Sequence, residues 1–153
     1  MTAPAPLHGT CVALGDRGVI IVGASGTGKS TLAVQLIGLG AQLIADDRVT
    51  VDGTGRAQAP APGPIRGLLE IRGLGLMRLT PQESARLVLA VDMAAENVSR
   101  LPQPRETLIN TVCLPLIAGR NRPNLAYEIM SALRFGQEPL FQDPEQAADA
   151  KRS

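Results

Sequence analysis

Eight residues restrict what this chain can fold into more than any other stretch: Gly23-Ala24-Ser25-Gly26-Thr27-Gly28-Lys29-Ser30. They satisfy the pattern G-x-x-x-x-G-K-[ST], in which glycines let successive amides point inward at phosphate oxygens. The pattern carries a mechanism only between a strand and a helix, and both flanks comply. GVIIV (18–22) is a short apolar run with β-branched residues, as in a buried strand. From Ser30 to about Leu39, Leu32, Leu36 and Leu39 share one helical face, and Gly40 can end the helix. A helix starting at the loop adds partial positive charge, Lys29 reaches the outer phosphates, and the Ser30 hydroxyl can ligate Mg²⁺. Together with Thr31, these eight residues form the expected nucleotide site.

Asp46 and Asp47 follow soon after, at the end of the apolar run AQLIA (41–45). In a parallel sheet that strand end faces the same side as the loop. A carboxylate there can hold a metal or take a proton from an attacking hydroxyl. Two adjacent acids on one strand point to opposite sides, so one of them is expected to touch the phosphate directly.

The 153 residues suffice for one domain with one core, expected over 1–138, followed by a polar, frayed tail over 139–153. With two Phe, one Tyr and no Trp, that core must be aliphatic. Fifteen basic against fourteen acidic residues leave no global field of the kind that nucleic acid or a membrane surface attracts. No apolar run approaches the roughly 18 residues of a membrane span, and a cytoplasmic location is expected. Cys11 and Cys113 lack metal-ligand neighbours and read as two buried free thiols.

Further along, RVTVDGTGRA (48–57) predicts a hairpin turning at Asp52-Gly53. APAPGP (59–64) reads as a loop, and GLLEIRGLGLMRL (67–79) as strand interrupted at Gly73 and Gly75. LVLAVDM (87–93) and TLINTVCLPL (107–116) each predict a strand, and NLAYEIMSALRFG (124–136) a helix capped by Asn124.

Four motifs in order resemble the catalytic domain of bacterial HPr kinase/phosphorylase over roughly residues 7–135: His8-Gly9, the loop, LIADDRVTV (43–51) and Leu69-Glu70-Ile71-Arg72-Gly73-Leu74-Gly75. The resemblance implies a P-loop α/β fold of the phosphoenolpyruvate-carboxykinase-like kind, with a mixed β-core and few helices. It implies an ATP- and Mg²⁺-dependent serine kinase whose protein substrate is the phosphocarrier HPr, within a phosphotransferase-system regulatory pathway. By the same resemblance Asp47 is the general base, Asp46 its neighbour in the acid pair, and Lys29 and Ser30 meet nucleotide and metal. Glu70 is a second metal contact, His8 lies near the transferred group, and Arg100 matches an active-site arginine. Gly119-Arg120-Asn121 is similar to the end of the family's loop for dephosphorylation and HPr contact. A hexameric homo-oligomer is implied too.

Departures accompany the matches. Thr31 stands where the family carries Glu, as in ordinary P-loop ATPases, and Ile117-Ala118 replace a basic residue and a proline, which bears on reverse phosphorolysis. Only seven residues precede His8, so the family's N-terminal domain is expected to be missing, as in short proteobacterial forms. Two other readings stay open: a small-molecule kinase or generic NTPase, and a nucleotide sensor without turnover.

Overall fold

A computed structural model describes residues 5–60, 67–96 and 105–136. The described residues build a nine-stranded mixed sheet, a separate two-stranded hairpin and two helices, in keeping with the expected α/β class. Its spine is β9 (Ser84–Glu96), flanked on one side by β3 (Arg17–Val22) in parallel. The other edge is shared, with β6 (Arg56–Gln58) antiparallel at Ser84–Arg86 and β11 (Val112–Arg120) parallel from Ala90 onward. Beyond β3 lie β2 (Thr10–Leu14) and β4 (Gln42–Ala45), each antiparallel to its predecessor. Beyond β6 lie β5 (Arg48–Val51) and the two-residue β1 (Leu7–His8).

Strands with apolar residues on both faces produce two cores, as expected where both faces are covered. One side of the sheet carries Val12, Val19, Ile21, Leu89 and Val91, packed against α1 (Lys29–Gly38) and α2 (Leu125–Phe135) through Leu32, Leu36, Ile129 and Leu133. The other carries Cys11, Ile20, Val49, Val51, Leu87 and Ala90, closed by Ile109 and Leu114. The Arg17 guanidinium donates to the Leu133 carbonyl at 2.9 Å and ties the end of α2 to β3.

Several local expectations are corrected. The segment 107–116 is a hairpin rather than one strand: β10 (Glu106–Ile109) pairs antiparallel with β11, and Asn110 turns the chain at φ 55°. The glycine-interrupted stretch 67–79 is likewise a hairpin, β7 (Leu68–Ile71) with β8 (Gly75–Arg78), because Gly73 and Gly75 take positive φ and reverse the chain. Asn124 precedes α2 but its side chain accepts no capping hydrogen bond from the helix amides. Cys11 is buried as expected, whereas Cys113 is exposed, since the edge of the β10–β11 hairpin faces outward there. The hairpin expected over 48–57 forms as β5 and β6. Most of the loop 59–64 and the tail 139–153 lie outside the described residues.

Candidate active site

The loop 23–30 leaves β3 at Val22 and enters α1 at Lys29. Gly28 is the residue before the helix and adopts φ 99°, a left-handed conformation that a side chain would strain. Lys29 is only 8% exposed, and its ammonium donates to the carbonyls of Gly23 at 2.7 Å and Ala24 at 3.1 Å. Those two bonds fix the ammonium over the loop, and its third donor is available for a partner outside it. The Thr27 hydroxyl also donates to Ala24, at 2.6 Å, which closes the loop upon itself. Ser30 stands in the first turn of α1, beside amides that have no intrahelical acceptor.

The acid pair arrives by a different route from the parallel neighbour expected. Strand β2 separates β4 from β3, and two successive antiparallel pairings bring β4 into the same direction as β3. Both strands therefore end on one side, with the acids two strand spacings, about 10 Å, from the end of β3. Asp46 and Asp47 themselves form a bend between β4 and β5 rather than strand. Asp47 takes φ 69°, which few residue types other than glycine accept.

Each acid is held separately. The Thr10 hydroxyl, in a residue 1% exposed, donates to Asp46 Oδ1 at 2.8 Å. His8 Nδ1 approaches Asp47 Oδ1 to 3.2 Å, an ion pair whenever the imidazole is protonated, and the Gly9 amide donates to the Asp47 carbonyl at 3.0 Å. Gly9 has to be glycine, since a Cβ there would lie 2.9 Å from the Ile21 carbonyl oxygen. His8, Asp46 and Asp47 are thus one constellation, beside the loop bearing Lys29 and Ser30.

Other expected residues are not drawn in. Glu70 is exposed on the separate β7–β8 hairpin, opposite Leu76, and bonds neither the loop nor the acid pair. Arg100 lies outside the described residues. Gly119 and Arg120 belong to β11 rather than to a loop, and Asn121 follows at φ 60° with its amide donating to Glu96 at 3.0 Å. Among the described residues no group of three or more His, Cys, Asp or Glu gathers as a metal cluster. No helix among them is long and apolar enough to cross a membrane.

Two residues of this end were not singled out from sequence. Thr10 is a lone hydroxyl in the otherwise apolar TCVAL, one residue past His8-Gly9. Asp92 closes the apolar run LVLAV and sits in register beside Val22, where its carboxylate accepts the Ala94 amide at 2.9 Å.

A family profile described as HPr Serine kinase C-terminal domain matches residues 1–93. An HPr kinase/phosphorylase of Chromobacterium violaceum is 33% identical over 84% of the chain and 46% of its own length. One of Bordetella pertussis is 35% identical over 84% and 47%. The chain spans about half the length of these curated relatives. The fold matches that of the Hpr(Ser) kinase/phosphatase from Coxiella burnetii at a TM-score of 0.69, with 21% identity and 96% of both chains covered.

Proposed function

The chain belongs to the HPr serine kinase C-terminal domain family, and on that premise we propose that it transfers the γ-phosphate of ATP to a serine of an HPr-type phosphocarrier protein. The observation that carries the proposal is the placement of a tethered acid pair and a histidine at the sheet end that also bears the phosphate-type loop.

In this reading the loop amides and Lys29 hold the ATP phosphates, and the seryl hydroxyl enters opposite the β–γ bridge. Its oxygen bonds to the γ-phosphorus, the bond from phosphorus to the bridging oxygen breaks, and ADP leaves. Asp47 takes the hydroxyl proton with Asp46 as its neighbour in the acid pair, Lys29 offsets the charge that develops, and His8 and the Gly9 amide keep Asp47 in place. The backbone strain at Asp47 suits a group whose position matters more than its comfort.

A magnesium ion suits this donor set, because such an ion needs one or two carboxylates and otherwise takes phosphate and water oxygens. The resemblance assigns it to Ser30, which stands at the loop, and to Glu70, which would have to reach it from the separate β7–β8 hairpin, and the ion would offset phosphate charge. By the resemblance, Arg100 is proposed as an active-site arginine. Reverse phosphorolysis, with inorganic phosphate attacking phosphoserine, would use Asp47 as the acid. We also propose a catalytic unit over 1–138 followed by a polar tail over 139–153, assembly as a homo-oligomer, and action in the cytoplasm without nucleic acid or membrane.

The test is transfer of ³²P from γ-labelled MgATP to purified HPr, with Asp47→Asn and an HPr lacking its regulatory serine as controls. Label that disappears in both controls is the expected result. Tight ATP binding with no label on HPr would overturn the proposal and turn the search to a small-molecule acceptor or a sensor.

A further inference from the structure

The loop has two flanks, and the acid pair occupies only one. On the opposite flank, beyond β3, the ends of β9 and β11 and the start of α2 enclose with α1 a cleft of about 600 Å³. It begins at Gly28 and Thr31, the place where the loop becomes helix. Its floor is apolar, made by Leu32, Met93 and Leu125. Its rim is polar: Thr31 and Gln35, one turn apart on α1, face Asn121 and Arg122. The Arg122 guanidinium donates through one nitrogen to Glu128 in the first turn of α2, which holds it at the rim.

We propose that this cleft takes the nucleoside of the bound nucleotide, a subsite that rests on the phosphate-loop reading above. If the phosphates lie on the amides at the α1 N-terminus, with the transferable one toward Asp46 and Asp47, the nucleoside must leave on the other side. That side is this cleft. An apolar floor with a few convergent polar groups is the composition that a flat heteroaromatic base requires. Met93 supplies a polarizable face, Arg122 a guanidinium able to stack on the ring, and Gln35 an amide to meet its edge, beside the side-chain carbonyl oxygen of Asn121, whose amide nitrogen bonds Glu96. Met93 also joins the two halves of the nucleotide: its methyl lies 3.7 Å from where a Cβ on Gly28 would be.

The experiment compares MgATP with magnesium tripolyphosphate, which has the phosphates and no nucleoside. In the unsubstituted protein carrying ¹³C-methyl methionine, the Met93 methyl resonance, one of four, should shift upfield with ATP by ring current and not with tripolyphosphate. Gln35→Trp, on the exposed face of α1, should fill the cleft, weaken ATP about tenfold and leave tripolyphosphate affinity unchanged. Identical Met93 shifts with both ligands, and an unchanged ATP affinity in Gln35→Trp, would overturn the subsite while the loop reading stands. A protein that binds neither ligand would overturn the loop reading and the subsite with it.

Discussion

The Thr10 hydroxyl donates to Asp46 Oδ1 at 2.8 Å from a position with almost no contact with solvent. Thr10 pairs in register with Ile21, two residues before the loop, so one hydroxyl connects the strand beside the loop to the acid pair. Replacing it by valine keeps the shape and removes the donor. We expect Thr10→Val to lower phosphotransfer about tenfold and to cost about 1 kcal/mol of stability, the size of one hydrogen bond to a carboxylate after valine's better burial is counted. Thr10→Ser should restore most of the activity. Urea unfolding beside the phosphotransfer assay checks both.

Lys29 spends two of its three donors on its own loop. Lys29→Met should therefore loosen the loop as well as remove a charge, and weaken ATP by about two orders of magnitude, on the scale of charge-assisted bonds to phosphate. Calorimetric titration with MgATP measures it, and a loss below threefold would count against the loop's role.

At Gly119, β11 passes tightly against β9 and the start of α2. A Cβ there would lie 2.9 Å from Met93 Sδ and 3.0 Å from Leu125 and Val91. Gly119→Ala should destabilise the protein by about 1–3 kcal/mol through overpacking, visible as a lower urea midpoint with an unchanged slope.

Arg56 and Asp16 form an exposed bidentate pair, with both contacts at 3.0 Å, and the Arg56 hydrogen bonds hold the Asp16 carboxyl below the usual carboxylate range. A depressed acid contributes stability that is present above its unfolded pKa and is lost as pH falls through the folded value. The window is thus below about pH 4. In Arg56→Gln the Asp16 carboxyl should titrate closer to its ordinary value by NMR, and acid unfolding should begin at a higher pH.

The two thiols should react at very different rates. Burial pushes Cys11 far up, and the Glu106 carboxylate accepting from Cys113 at 3.1 Å raises that thiol as well. Iodoacetamide at pH 8 should label Cys113 slowly and faster in Glu106→Gln, because thiolate is the reactive form. Cys11 should label only on unfolding.

Much of this site was legible because its signals are local. The loop, its strand and its helix are read from residues 18–40 alone, and the acid pair from its place at a strand end. The sheet between them was not. Residues 10–14 carry no turn or alternation that announces β2, yet β2 is what aligns β4 with β3 and what supplies Thr10. The single strand expected at 107–116 failed for a related reason: Asn110 and Thr111 interrupt a continuous apolar run, and only a positive φ at Asn110 makes the turn. The nucleoside cleft draws on α1, β9, β11 and the start of α2, a grouping that only the folded sheet creates.

Strand β1 is two residues long and, among the described residues, sits at the outer edge of the sheet and pairs with β5 alone. Opening it would detach His8 from Asp47 while leaving the Thr10–Asp46 bond and the loop intact. The histidine and its hold on Asp47 are therefore governed by a local opening equilibrium much smaller than global unfolding, whereas Asp46, tethered to Thr10 in β2, shares the stability of the sheet. Warming should thin the population of complete sites well before the protein melts.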